Sequence, residues 1–176
     1  METVKEKTPR FNYTPYAWEG KKYNPSLGIA DIAKEIRVAC KKMAPECKFS
    51  IRIQRYAGGQ SMNLTLVSAP FEAFKKVDRN AEIRWKNFKT EEEFFENWQR
   101  LINSGHHQVN QYHFEDNYIM TEEAKKVMEF LIKLTNSYNF NDSDAQIDYF
   151  HNNFYSDFSV GSWDKPFVKT EKKGGK

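Results

Sequence analysis

Apolar and polar residues alternate from Lys48 to Leu66 on both sides of a Gly-Gly pair. Phe49, Ile51 and Ile53 alternate with Lys48, Ser50, Arg52 and Gln54. Beyond Ala57-Gly58-Gly59-Gln60, Met62, Leu64 and Leu66 alternate with Ser61, Asn63 and Thr65. A period of two puts one set on each face of a strand, so Cys47–Ser68 predicts a β-hairpin with one buried and one wet face. Glycine suits the turn because it reaches positive φ without a Cβ clash. A lone hairpin is marginal in water, so another element must cover its apolar face.

That element lies immediately upstream. Ile29, Ile32, Ala33, Ile36, Cys40 and Met43 recur at three- and four-residue spacing, with Asp31, Lys34, Glu35, Arg37, Lys41 and Lys42 opposite. This is the pattern of an amphipathic helix, with a start at Asn24-Pro25-Ser26 and a stop at Pro45. The short Glu46-Cys47 connection makes helix and hairpin packed neighbours. A second helix begins at the Thr90/Glu93 capping box, turns Phe94, Phe95, Trp98, Leu101 and Ile102 inward, and stops at Ser104-Gly105. A third runs from Thr121 to about Tyr138, with Ala124, Val127, Met128, Leu131, Leu134 and Tyr138 inward.

The remaining segments are less regular. Phe71–Phe74 reads as a short helix or turn, Ala81–Phe88 fits neither period, and Tyr112, Phe114 and Tyr118 alternate loosely as in a short strand. The aromatic run from Ile147 to Val160 predicts a turn and a last strand near Tyr155–Gly161. Near the start, Thr8-Pro9 and Thr14-Pro15 oppose a helix, and Phe11, Tyr13, Tyr16 and Trp18 predict an extended arm laid across the core. The expected fold is α+β: a small antiparallel sheet built on the hairpin and packed against three helices. One domain is expected over residues 11–164, between a flexible start (1–10) and a lysine-rich flexible tail (165–176).

Composition sharpens this picture at three points. Fourteen Phe, nine Tyr and four Trp argue against disorder in the middle of the chain. The net charge of +3 is small, and the five lysines from Lys165 to Lys176 outweigh it, so the body is close to neutral and carries no nucleic-acid signature. Cys40 and Cys47 make neither a CxxC pair nor a disulfide framework, which fits a reduced interior. With no apolar run of membrane-spanning or signal-peptide type, a cytoplasmic protein is expected.

Candidate chemistry is sparse. His106, His107 and His113, close to Glu115 and Asp116, are the nearest approach to a metal set, yet match no ligand spacing. Cys40 falls inside a helix face and Cys47 has no base beside it, so neither reads as a nucleophile. Asp142/Asp144 and Glu115/Asp116 read as turn residues, and Tyr56-Ala57-Gly58-Gly59-Gln60 lacks the Lys-Ser/Thr and helix of a P-loop. His151 reads as a partly buried histidine with a backbone partner. No enzyme, cofactor or metal is expected. The wet hairpin face is the candidate binding surface: Arg52, Gln54, Asn63 and Thr65, with Arg55 and Tyr56 at the turn. A protein partner is preferred over nucleic acid, because only Tyr56 offers a stacking ring.

The run IADIAKEIRVACKKMAPECKFSIRIQRYAGGQSMNLTLVSAP, Ile29 to Pro70, resembles the twenty-ninth of the large polyvalent-protein-associated domains. That family joins an amphipathic helix to a strand, a Gly-Gly turn and a second strand. The sequence departs from it at Ala44, Cys47 and Ser68-Ala69-Pro70, and SDAQIDYFHNNFYSDFSVG is similar to its closing segment. The resemblance implies a setting in phages, plasmids or conjugative elements, and it carries no catalytic residues. Together with the residue reading, which disfavours an enzyme and prefers a protein partner, the expected function is a non-catalytic protein that binds a host protein, and the setting suggests countering a host defence as its purpose. The alternatives are a nucleic-acid-binding accessory protein and a small enzyme of unknown substrate.

Overall fold

A computed structural model of the chain describes residue 14 and residues 17–80, 89–114 and 117–172. The expected hairpin is its centre. β2 (Lys48–Tyr56) and β3 (Gly59–Ala69) pair antiparallel, Ile51 opposite Leu64, Arg52 opposite Asn63 and Tyr56 opposite Gly59. Gly58 closes the turn at φ 86°, a value open to glycine and strained for other residues.

The second edge of β3 is filled from far along the chain. β6 (Tyr155–Val160) runs parallel to it, Leu64 beside Phe158 and Leu66 beside Val160. β4 (His107–Val109) pairs antiparallel with β6, and β7 (Val168–Lys169) lies parallel to the end of β3. The sheet is therefore mixed, where a wholly antiparallel one was expected. A hairpin decides only its own pairing, and the chain returns to β3 after a long excursion, in the same direction. The α+β class holds.

Among the described residues three α-helices accompany the sheet: α1 (Ile29–Met43), α2 (Glu91–Ser104) and α3 (Glu122–Ser137). α1 and α3 supply the cover. Ile32, Ile36 and Cys40 of α1 and Met128 and Leu131 of α3 share one core with Met62, Leu64, Leu66, Phe158 and Val160. α1 begins later than expected, at Ile29. The Asn24 side chain instead accepts the Ser26 N–H at 2.9 Å, a local turn that ends before the helix. Arg37 leaves the wet side of α1 and donates to the Ile51 carbonyl at 2.6 Å. It thereby occupies an acceptor on the free edge of β2, where an incoming strand would otherwise pair.

α2 starts as predicted, Thr90 accepting the Glu93 N–H at 3.2 Å. It builds a second apolar cluster from Phe94, Phe95, Trp98 and Ile119, with Trp98 and Tyr118 edge to face at 5.5 Å. Phe74 touches both clusters. Its segment forms no helix: Phe74 bridges Met120, and the Lys75 N–H donates to the Ile119 carbonyl at 2.7 Å. A two-stranded piece, β1 (Trp18–Glu19) on β5 (Phe140–Asn141), stands apart from the main sheet. Asp142, expected in an exposed turn, is buried and accepts the Thr14 N–H at 2.8 Å. The first ten residues, Phe11, Tyr13, Tyr16, Ala81–Phe88, Glu115, Asp116 and the four last residues lie outside the described residues.

The expected free tail is docked as far as it is described. Phe167 is half-buried against Phe74, its N–H donates to the Gly105 carbonyl at 2.8 Å, and the Thr170 N–H donates to Ala69 at the same distance. Lysines alone suggested a solvated segment, but Phe167 among them packs on the core and Val168 pairs through its backbone with β3 while its side chain stays exposed. The crossing needs glycine. A Cβ on Gly161 would lie 2.1 Å from the Gly105 carbonyl oxygen, and Gly161 sits at φ 62°.

Two stability measurements follow. Ile36 is fully buried between α1 and the hairpin. Ile36→Ala should lower the unfolding free energy in denaturant melts by about 2–5 kcal/mol, and a loss under about 0.5 kcal/mol would overturn the packing described. Removing residues 165–176 should lower Tm by roughly 2–8 °C, through about 1–2 kcal/mol of lost Phe167 burial and strand pairing. An unchanged Tm would mean that β7 contributes nothing in solution.

Candidate functional site

Because strands alternate faces, the register that buries Leu64 and Leu66 against the helices turns their neighbours outward. On β2 and β3 these are Ser50, Arg52, Gln54, Tyr56, Ser61, Asn63 and Thr65, so five of the six predicted site residues share one face. The parallel partner extends it. Tyr155, Asp157 and Ser159 of β6 lie beside Ser61, Asn63 and Thr65, and Gln108 of β4 lies beside Ser159.

The face is organised in cross-strand rows. Ser50, Thr65, Ser159 and Gln108 make one row, in which the Thr65 and Ser159 hydroxyls meet at 2.9 Å. Arg52, Asn63 and Asp157 make the next, placing a guanidinium and a carboxylate on either side of an amide. Gln54, Ser61 and Tyr155 make the third, where Ser61 is buried and Gln54 and Tyr155 are exposed. Tyr56 falls on the same face at the turn, its ring folded over Gly59, so close that a Cβ there would lie 2.8 Å from the ring. Arg55 does not join the set. It pairs with Gln60 on the opposite face, beyond the end of the core, because an odd position cannot share a face with Arg52 and Gln54.

One further group reaches this surface. After β6 the chain makes a tight turn in which the Ser162 and Lys165 backbones exchange hydrogen bonds at 2.9 and 3.2 Å. The Ser162 hydroxyl donates to the Asp164 carboxylate at 2.8 Å, and this bond lowers the Asp164 pKa, with a smaller contribution from Arg52. The Gly161 N–H, just before the turn, donates to the Leu66 carbonyl at 2.9 Å, so the turn leaves the sheet at the end of β6 beside β3. At its tip Trp163 is 86% exposed. Sequence reading missed Asp157, Ser159 and Gln108, although the alternation of Tyr155, Asp157 and Ser159 with Phe158 and Val160 was visible. No local signal says which strand these residues will lie beside.

The other candidates go elsewhere. His107 points to the covered side, paired with Val160, and its Nε2 lies 2.8 Å from the Asn117 amide nitrogen. The Asn117 oxygen accepts the Met120 N–H, so the amide N–H faces the ring and Nε2 must accept. Burial, and then the nearby His106, push the His107 pKa down to about 4. Among the described residues no three of His, Cys, Asp and Glu come together as a metal set. Burial pushes the Cys40 thiol up to about 11, with a lesser effect of Cys47, and raises Cys47 as well, so both stay protonated. The His151 ring stands edge to face on Phe140 at 5.0 Å, near the Tyr149 hydroxyl at 3.4 Å.

Compared with known families, residues 27–125 match the model of large polyvalent protein associated domain 29. That is more than half of the chain. No match was found among curated proteins or among solved structures.

The His107 geometry sets a pH dependence. Burial, and then the nearby His106, disfavour the charged ring, so the unfolded chain binds this proton more readily than the folded one between pH 6.5 and about 4. Stability should therefore be constant with respect to His107 above pH 6.5 and fall as pH drops through that window. Urea melts between pH 7 and 5, above the carboxylate range, should show a steeper loss for the parent than for His107→Gln. Parallel slopes would overturn the assignment.

Proposed function

The chain belongs to the family of large polyvalent protein associated domain 29, and on that premise we propose that it is a non-catalytic protein that binds a host protein. The family is one associated with phages and mobile elements. In that setting the purpose of such binding is to counter a host defence in the cytoplasm of the recipient cell. Among the described residues no helix is long and apolar enough to cross a membrane.

The observation that carries the reading is the row of Arg52, Asn63 and Asp157 at the middle of the outer sheet face. A surface that tracks phosphates needs an excess of cations, whereas this one answers Arg52 with Asp157 and, at its margin, with Asp164. Balanced charge with exposed aromatics at its margins is the composition of a protein-binding patch. Nucleic acid is the second reading. What favours it is that Tyr155, Tyr56 and Trp163 offer stacking rings, more than the single ring legible beforehand.

Titration of labelled single- and double-stranded DNA and RNA from low to physiological salt separates the two. The expected result is binding that is absent or vanishes by physiological salt. Micromolar or tighter binding that persists there, and is lost in Arg52→Glu with the fold intact, would replace the protein reading with the nucleic-acid one. Capture from native host lysate, read by mass spectrometry, should recover a protein with the parent and lose it with Arg52→Glu.

A further inference from the structure

Trp163 is the most exposed large apolar side chain among the described residues, at 86%. Single exposed hydrophobics are ordinary on protein surfaces. This one differs in how it is held. The reciprocal Ser162–Lys165 backbone bonds close the turn, and the Ser162 hydroxyl spans it to the Asp164 carboxylate and the Lys165 carbonyl. Both ends are clamped as well. Gly161 donates to the Leu66 carbonyl at 2.9 Å and passes against Gly105; Pro166 lies over Gly105, and Phe167 is docked. The tip is thus fixed in a position where the indole has almost no intramolecular contact. Rigid presentation removes the ordering cost of binding, and Trp is the side chain most enriched at energetic centres of interfaces.

Resting on the reading of the outer face as a protein-binding surface, we propose that the Ser162–Lys165 turn is its anchor: Trp163 seats on an apolar segment of the partner protein, and Asp164 pairs with an arginine or lysine beside that segment. The charge of the turn argues for the basic neighbour. The Asp164 carboxylate stands next to the indole, oriented by the Ser162 hydroxyl, with acceptor capacity left over. On the sheet face Asp157, beside Asn63 in the row of Arg52, carries the same sign. Seating the indole dries the Asp164 contact and strengthens it.

The test uses the full chain, immobilised, and a display library of random linear peptides as the probe. Selection should enrich peptides that join aromatic or aliphatic residues to an arginine or lysine. Their affinity should fall roughly tenfold or more for Trp163→Ala, as for the loss of an interface hot spot, with a smaller fall for Asp164→Asn and partial recovery in Trp163→Phe. Tm of the variants should stay close to the parent, because the indole is almost wholly exposed. Peptides that bind Trp163→Ala as well as the parent but fail on Arg52→Glu would overturn the anchor and leave the outer face standing. Peptides that fail on Trp163→Ala but not on Arg52→Glu would keep the anchor and remove the face. Loss in both variants supports both. No enrichment, or peptides with no basic residue, would overturn the proposal.

Discussion

The structure depends on a single strand being paired on both edges at once. β3 carries Met62, Leu64 and Leu66, all fully buried, and none of them can be buried unless helices cover one face and strands flank both sides. β2 arrives at once through the Gly58 turn, whereas β6 comes from the other end of the chain. Once both are in place, the two-residue period does the rest: the polar residues that alternate with Leu64, Leu66 and Phe158 are delivered to the same outer face. The candidate surface is in this sense a by-product of core registration. A shift of one residue in β6 would exchange Phe158 for Asp157 and destroy core and surface together.

The sheet is joined to its surroundings by a few specific contacts. Arg37 ties α1 to the free edge of β2 with one charged hydrogen bond, a device that both orients the helix and blunts the edge. Phe74 ties the α2 cluster to the main core. The crossing of Gly105 and Gly161 brings the end of α2, the turn after β6 and the start of β7 to one point, where no side chain fits.

Local order was legible and distant pairing was not. The hairpin, α2 and α3 announce themselves through alternation, the Thr90 and Thr121 caps and inward stripes, all set by neighbours within a few residues. Arg52, Gln54, Asn63 and Thr65 were correctly grouped for the same reason. Arg55 lies beside the turn as expected, and its odd position in the alternation puts it on the opposite face. Asp157 and Ser159 were out of reach, since a parallel pairing leaves no trace in the sequence around either strand. Phe167 was hidden by its lysines: composition described the segment's average, while one aromatic ring decided where it sits. Asp142 shows the converse, a turn-type residue drawn inside because its carboxylate has a backbone N–H to accept.

The parallel pairing of β3 with β6 also sets a timetable. The Thr65 and Ser159 hydroxyls that meet across it are 94 residues apart in the chain. At the usual pace of synthesis, this leaves one edge of β3 without its partner for about 5–20 seconds after the hairpin has emerged from the ribosome. During that interval Leu64 and Leu66 have α1 for company but no β6, and the open strand is a template for the wrong neighbour. Ser61, Asn63 and Thr65, interleaved with them, keep the nascent strand wettable on one side. The polar residues that face outward in the finished molecule therefore have an earlier occupation, as guards of an unfinished sheet.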